Sequence, residues 1–250
     1  MTASRSCLRD IDAVVLAGGL GTRIRRVLGG TPKLLASVGG QPFLKILVAR
    51  LRHFGARRLV LGLGYRAHKV TAHLEAHPIT GMDTVVAVEP KPLGTAGALR
   101  FLRPYVESDP VLVMNGDSFV GADLCDFVAA HRRTGAIVSL LCVEVADARR
   151  FGRVDVGADG RVRAFREKDA KRKGAGVINA GVYLFAGSAL DRIAKMPEGS
   201  LEKDVFPKLL ADGVNALVCD APFVDIGTPK GLRAAGEVLK PFISAPGPRA

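Results

Sequence analysis

The chain predicts an α/β fold, a single domain built on a doubly wound, mixed but mainly parallel sheet. Three observations carry that expectation. Continuous apolar runs, the pattern of strands buried on both faces, recur through the first half. Helical patterns separate them, and the order strand, helix, strand, helix calls for right-handed crossovers between parallel neighbours. After Ala136 the texture changes to longer and alternating segments, as antiparallel strands require.

The first strand is "DAVVLA" from Asp12, followed by a glycine-rich loop and a helix from Pro42 to Phe54. "RLVLGL" from Arg58, "TVVAVE" from Thr84 and "PVLVMNGD" from Pro110 are the next strands, with helices at Ala67 to His77, Thr95 to Leu102 and Leu124 to Arg133. Then "AIVSLLCVEV" is a long strand, "GRVDVGADGRVRAFREK" a hairpin turning at Asp159-Gly160, and "VINAGVYLF" a further strand. A helix from Ser200 to Leu210, strands at Ala216 to Cys219 and Phe223 to Asp225, and a helix from Pro229 to Leu239 complete the domain, with Pro229 suited to a first turn. The expected domain is 1–240, with halves of about 11–135 and 136–240 sharing one sheet, and 241–250 as a flexible tail.

At 250 residues the chain can bury a self-sufficient core. It lacks an apolar signal-peptide segment and any run near the roughly 20 residues that span a bilayer, so a cytoplasmic location without a membrane partner is expected. Cys7, Cys125, Cys142 and Cys219 are scattered without a CxxC pair, and are expected to be reduced thiols, mostly buried. The net charge of +12 fits nucleic acid, an anionic surface or phosphate-bearing small molecules. Its bases are interleaved with glycine loops and helix surfaces rather than with exposed aromatics, which argues against nucleic acid.

The stretch "LAGGLGTRIRRVLGGTPKLL" leaves the carboxyl end of the first strand, where ligands of open α/β sheets sit. Gly18, Gly19 and Gly21 allow close backbone approach and an anion-binding nest, while Arg23 and Lys33 add a forked and a compact cation suited to a triphosphate. Rossmann spacing fails because Ile24 stands where a glycine is needed, and no Walker Gly-Lys-Ser/Thr closes the loop. On these residues alone a solvated surface loop and a phosphate cradle both stand.

Gly18-Gly19-Leu20-Gly21-Thr22-Arg23 followed by Pro32-Lys33 resembles the signature of the sugar-1-phosphate nucleotidyltransferases. "EPKPLGTAGAL" from Glu89, "NGDSF" from Asn115, "FREK" from Phe165, "INAGVYLF" from Ile178, "SLEKDVFP" from Ser200 and "FVDIGTP" from Phe223 follow in the family's order. The "LGTAGAL" and "NGDSF" wording is most similar to the short guanylyltransferases acting on heptose 1-phosphates. The resemblance implies a Rossmann-like fold and the reaction of an NTP with a sugar 1-phosphate to give an NDP-sugar and pyrophosphate.

By the same resemblance Arg23 holds the departing β- and γ-phosphates, Lys33 the α-phosphate and Lys168 the incoming sugar phosphate. Asp117 and Asp225 would hold Mg2+, a cation that takes few carboxylates and fills its shell with phosphate oxygens and water. Read alone, Asp117 is equally a turn residue and Asp225 a helix cap. Leu16, Ala17, Gly18, Gly19, Gly21, Thr22, Gly94, Thr95 and Asn115 would bind the nucleotide. Glu167, Asn179, Gly181 and Glu202 would meet the sugar, with Asp204 as a further polar candidate, although Glu167-Lys168 is also a plausible exposed ion pair. Glu89 can accept both N1–H and N2–H2 of guanine, which favours GTP, although a glutamate there also occurs in uridylyl- and cytidylyltransferases.

The expected partners are an NTP, GTP favoured, and a mannose- or heptose-type 1-phosphate, with a homodimer left open. Another nucleotide or sugar, a lipid- or polyol-type phosphate, and an inert nucleotide-binding homologue are the alternatives. His73 and His77, four apart on a helix, read as solvated surface rather than a metal pair, and Lys171-Arg172-Lys173 as a charged hairpin loop. Arg25 and Arg26 depart from the family's wording and leave the path of residues 24–30 undetermined.

Overall fold

The computed structural model describes residues 6–169, 171 and 173–243. The first half runs β1 (Ala13–Ala17), α1 (Arg25–Leu28), β2 (Ser37–Val38), β3 (Gln41–Pro42), α2 (Phe43–His53), β4 (Arg58–Leu63), α3 (Ala67–Ala76), β5 (Asp83–Val88), α4 (Gly94–Leu102), β6 (Val111–Asn115), β7 (Ser118–Val120) and α5 (Leu124–Thr134). The second runs β8 (Val138–Val145), β9 (Arg153–Val156), β10 (Val162–Arg166), β11 (Gly176–Phe185), α6 (Gly187–Ile193), α7 (Phe206–Gly213), β12 (Val214–Cys219), β13 (Phe223–Asp225) and α8 (Pro229–Ile243).

β1 lies at the centre of a parallel group, with Val14 opposite Val60 of β4 on one side and Val113 of β6 on the other. β5 extends this group beyond β4, again parallel. The second half joins through β11, antiparallel to β6 and to β8, and β12 continues parallel to β8. The sheet forks at β11: past a register shift between Asn179 and Val182, the strand meets the β9–β10 hairpin through Ile178 and Arg153. Among the described residues nine strands, drawn from both halves of the chain, share one sheet.

Successive residues of β1 explain why its sequence is apolar throughout. Ala13 and Val15 enter a core with α2, α3, α5 and α8, whereas Val14 and Leu16 enter one with α4, α6 and α7. Alternate side chains of a strand point to opposite faces, so helices on both sides leave no polar face. Each fully buried Val or Leu contributes about 1.5–3 kcal/mol.

Several expectations need correction. Cys7 and Cys125 are not free thiols but form a disulfide with Cα atoms 5.4 Å apart. Leu8 and Ile11 are buried, and the Leu8 amide donates to the Phe54 carbonyl at 3.0 Å, so the N-terminal turn packs against the end of α2 while the disulfide ties it to the start of α5. Cys142 and Cys219 are free, and of the four cysteines Cys142 alone is fully buried, the others being half-buried, contrary to the expectation that most would be buried. The single helix expected from Ser200 is a π-helical turn, Leu201–Val205, leading into α7, whose first turn holds Pro207. A proline lacks the amide an uninterrupted helix would use there.

α6, too short to give a clear period, was not anticipated. The last helix runs past Leu239 and through Pro241 to Ile243, so the first residues of the expected tail are helical. Phe242 packs on Phe119 with ring centroids 4.9 Å apart, which helps hold the extension in place. The rest of the tail, 244–250, lies outside the described residues. Among the described residues no helix is long and apolar enough to cross a membrane.

Candidate active site

A cavity of about 670 Å3 opens over the carboxyl ends of β1, β4, β5 and β6. It is lined by every catalytic, nucleotide, sugar and metal candidate named above except Thr22 and Asp204. Thr22 belongs to the same loop but does not face the cavity. Asp204 is also outside it, and its carboxylate instead accepts from the Ser200 amide at 2.7 Å.

At one end the charges converge. Asp117 follows β6 and Asp225 ends β13, and β13 pairs with β7 so that Asp225 lies opposite Ser118. The Ile226 amide donates to the Asp117 carbonyl at 2.9 Å, tying the two segments together. A Cβ on Gly227 would stand 2.8 Å from Asp225 Oδ1, 3.1 Å from Asp117 Oδ2 and 3.6 Å from Arg23 Nη2. These three side chains therefore surround one glycine, which leaves room between them.

Burial, and then the like charge of Asp117, pushes the Asp225 carboxyl above its ordinary value. Such a pair is stabilised by added positive charge. Lys33 supplies some, with Nζ 2.5 Å from Asp117 Oδ2, and its stem runs beneath the glycine loop. Asp225 does not cap α8; that role falls to Thr228, whose hydroxyl accepts from the Gly231 amide at 3.1 Å.

The opposite wall holds Glu89, 8% exposed at the end of β5. Its Oε2 accepts from the Leu93 amide at 3.2 Å, and burial raises its pKa despite that bond. Oε1 lies 2.1 Å from where a Gly18 Cβ would be, so only glycine admits the carboxylate here. β1 and β4 also close up at this point, since a Cβ on Gly64 would meet the Gly18 carbonyl at 2.6 Å.

The third region is organised by the irregularity in β11. Asn179 Nδ2 donates to Glu202 Oε1 and to the Tyr183 hydroxyl, both at 2.8 Å, and its Oδ1 accepts from the Gly181 amide at 2.9 Å. Gly181 has φ +76°, and a Cβ would stand 2.7 Å from both Asn115 Nδ2 and Ser118 Oγ. Burial raises the Glu202 pKa, the Asn179 hydrogen bond and the Lys168 charge oppose it, and Glu167 and Asp117 add to it. Glu167 pairs with Lys203 at 3.0 Å rather than with its neighbour Lys168.

Sequence reasoning missed several lining residues, among them Tyr65, Arg25, Tyr183 and Lys203. The surplus arginine at position 25 was a usable signal. Its guanidinium lies 5.2 Å from the Tyr65 ring centroid, Arg66 lies 5.4 Å from the same ring, and Arg66 and Lys69 both donate to the Gly30 carbonyl. These contacts fix the path of residues 24–30 as α1 closed by Gly29 and Gly30, both with positive φ. Arg26 is exposed and nothing in the structure explains it. His73 and His77 stack with centroids 4.6 Å apart, and among the described residues no group of three or more His, Cys, Asp or Glu side chains is placed to hold a metal. Of the basic run at 171–173, Arg172 lies outside the described residues.

The sequence pattern of the family described as nucleotidyl transferase matches residues 12–240. Mannose-1-phosphate guanylyltransferase of Mycobacterium tuberculosis is 35% identical over 241 residues, 95% of this chain and 67% of that protein. D-glycero-alpha-D-manno-heptose 1-phosphate guanylyltransferase of Aneurinibacillus thermoaerophilus is 31% identical over 235 residues, 93% of this chain and 100% of that protein. Crystal structures of HddC from Yersinia pseudotuberculosis, alone and complexed with GMP-PN, superimpose with TM-scores of 0.81 and 0.79 at 33% identity, covering 91% of this chain and 98% of theirs.

Proposed function

The chain belongs to the nucleotidyl transferase family, and we propose that it transfers a guanylyl group from GTP to a mannose- or heptose-type 1-phosphate, giving a GDP-sugar and pyrophosphate. The observation that carries this reading is a single cavity with three chemically distinct walls. A buried carboxylate meets the end of β1, charged groups gather around Gly227, and an amide and carboxylate cluster lines the far side.

A phosphate monoester is already mostly dianionic near neutral pH, its second pKa being about 6, so its oxygen can attack without a general base. One P–O bond forms to the α-phosphorus as the bond to the leaving pyrophosphate breaks. The protein has to align the two phosphates and offset their charge. In this assignment Lys33 addresses the α-phosphate, Arg23 the departing phosphates and Lys168 the attacking one. Asn179 and Glu202 hold sugar hydroxyls, and Glu89 accepts from the Watson–Crick edge of guanine.

Asp117 and Asp225 are the residues that would hold Mg2+. Two carboxylates on adjoining segments, one with its pKa raised by burial and then by the other's charge, suit a cation that completes its shell with phosphate oxygens and water. Bound there, Mg2+ would neutralise charge on the triphosphate.

Pyrophosphate release should require GTP, a sugar 1-phosphate and Mg2+ together. Asp117→Asn and Asp225→Asn should each lower turnover at least about 100-fold with the fold intact by circular dichroism. Absence of release with mannose, glucose, N-acetylglucosamine and heptose 1-phosphates against the common NTPs would overturn the proposal.

A further inference from the structure

The cavity's nucleotide wall and sugar wall are joined across the chain by a short run of hydrogen bonds. The Gly199 amide donates to the Leu93 carbonyl at 3.3 Å, and the Ala96 amide donates to the Gly199 carbonyl at 2.9 Å. The Leu201 amide donates to the Thr95 hydroxyl at 2.8 Å, a bond between residues 106 apart in sequence. Gly94, with φ +70°, makes this contact possible, because a Cβ there would lie 2.3 Å from the Gly199 carbonyl oxygen.

Outside the cavity Glu198 braces the same junction. Its two carboxylate oxygens meet Lys91 Nζ at 3.1 Å and Arg100 Nη2 at 3.5 Å, and Arg100 also donates to the Met196 carbonyl at 2.8 Å. Lys91 belongs to the segment between Glu89 and Leu93, so the brace reaches the base-facing wall.

Both ends of this clasp are attached to ligand-facing carboxylates. Glu89 accepts from the Leu93 amide, and Leu93 in turn meets Gly199. Thr95 receives the amide of Leu201, the first residue of the π-helical turn that carries Glu202 to Asn179. π-Helical turns are uncommon and concentrate at functional sites. This turn is held at its start by a hydroxyl from the nucleotide wall.

The geometry points to Thr95 as a positioning residue that couples the two subsites: occupation of the nucleotide wall sets the turn bearing Glu202, and sugar-phosphate binding in turn steadies the segment bearing Glu89. This rests on the guanylyl-transfer reading of the cavity. Coupling of this kind is reciprocal, so each ligand must tighten the other by one common factor. Contiguity alone does not establish coupling, so the test is whether that factor departs from one and is lost when the clasp is cut.

Isothermal titration of the full chain would use a non-hydrolysable GTP analogue, with and without mannose 1-phosphate or heptose 1-phosphate in separate series, and then the converse. The wild type should give equal factors in both directions, in the range of about 5- to 150-fold. Thr95→Val removes the acceptor and should bring the factor close to one, whereas Thr95→Ser should restore it. Glu198→Gln lies outside the cavity and should lower the factor while leaving the affinity for each ligand alone near the wild-type value.

If the ligands bind independently in the wild type, or Thr95→Val and Glu198→Gln keep the full factor, the clasp is refuted while the transferase reading stands. If neither ligand binds, both the transferase reading and the clasp fail.

Discussion

Under the proposed guanylyl transfer, Glu89 is the side chain that would set base preference. Its carboxylate is buried against Gly18 and, among the described residues, accepts the Leu93 amide through Oε2, leaving Oε1 for the donors on guanine. Glu89→Gln should lower kcat/KM for GTP about 10- to 100-fold, since a hydrogen bond to a charged group contributes about 1.5–3 kcal/mol. Kinetics with UTP should change less; an equal loss for both nucleotides would contradict the assignment. Burial raises the Glu89 pKa, so acidification should weaken GTP use at a pH above the ordinary glutamate range. The sign follows from protonation removing the acceptor, and the Gln variant should flatten that limb of the pH profile. At this scale Arg23, Lys33, Asp117 and Asp225 were legible because motif and strand end fixed their place. The Glu167–Lys203 pair was not, because its members are 36 residues apart and only the approach of β10 to the π-helical turn joins them.

β11 carries more of the site than its sequence discloses. "VINAGVYLF" was readable as a strand, but no local pattern gives the shift between Asn179 and Val182, which arises where the strand leaves β6 for β9. Irregularities of this sort re-aim side chains beside active sites. Gly181→Ala should therefore cost about 1–3 kcal/mol through its positive φ and the contacts with Asn115 and Ser118. Thermal unfolding would measure that cost, and turnover should fall with it; a variant with unchanged stability and activity would show that the position tolerates a side chain. β1, β4 and β6 were legible because burial on both faces makes each a continuous apolar run, whereas β5, at the end of the strand order, has the same apolar sequence but leaves Val86 and Val88 exposed instead of buried as expected. The extension of α8 through Pro241 was hidden, because a proline reads locally as a stop and the packing that offsets it, Phe242 on Phe119, is tertiary.

The whole molecule is one sheet with a cavity over the carboxyl ends of its strands, its halves joined through β6 and β11 and bonded across the cavity by the 93–96 and 199–201 segments. Its N-terminal turn is secured by Cys7–Cys125, a pairing with a sequence separation of 118 that spacing alone could not disclose. Thiol titration of the denatured, unreduced protein should find two free thiols, rising to four on reduction, and reduction should lower stability by about 2–4 kcal/mol. Four thiols before reduction would contradict the pairing. The net charge of +12 was legible from composition, but only the fold places Arg23, Lys33 and Lys168 around one cavity. Guanylyl transfer is tested most directly by following GTP labelled separately at the α- and γ-phosphorus during turnover with mannose or heptose 1-phosphate. The account predicts the α-label in a GDP-sugar and the γ-label in pyrophosphate; γ-label on the sugar, or its release as inorganic phosphate, would contradict it.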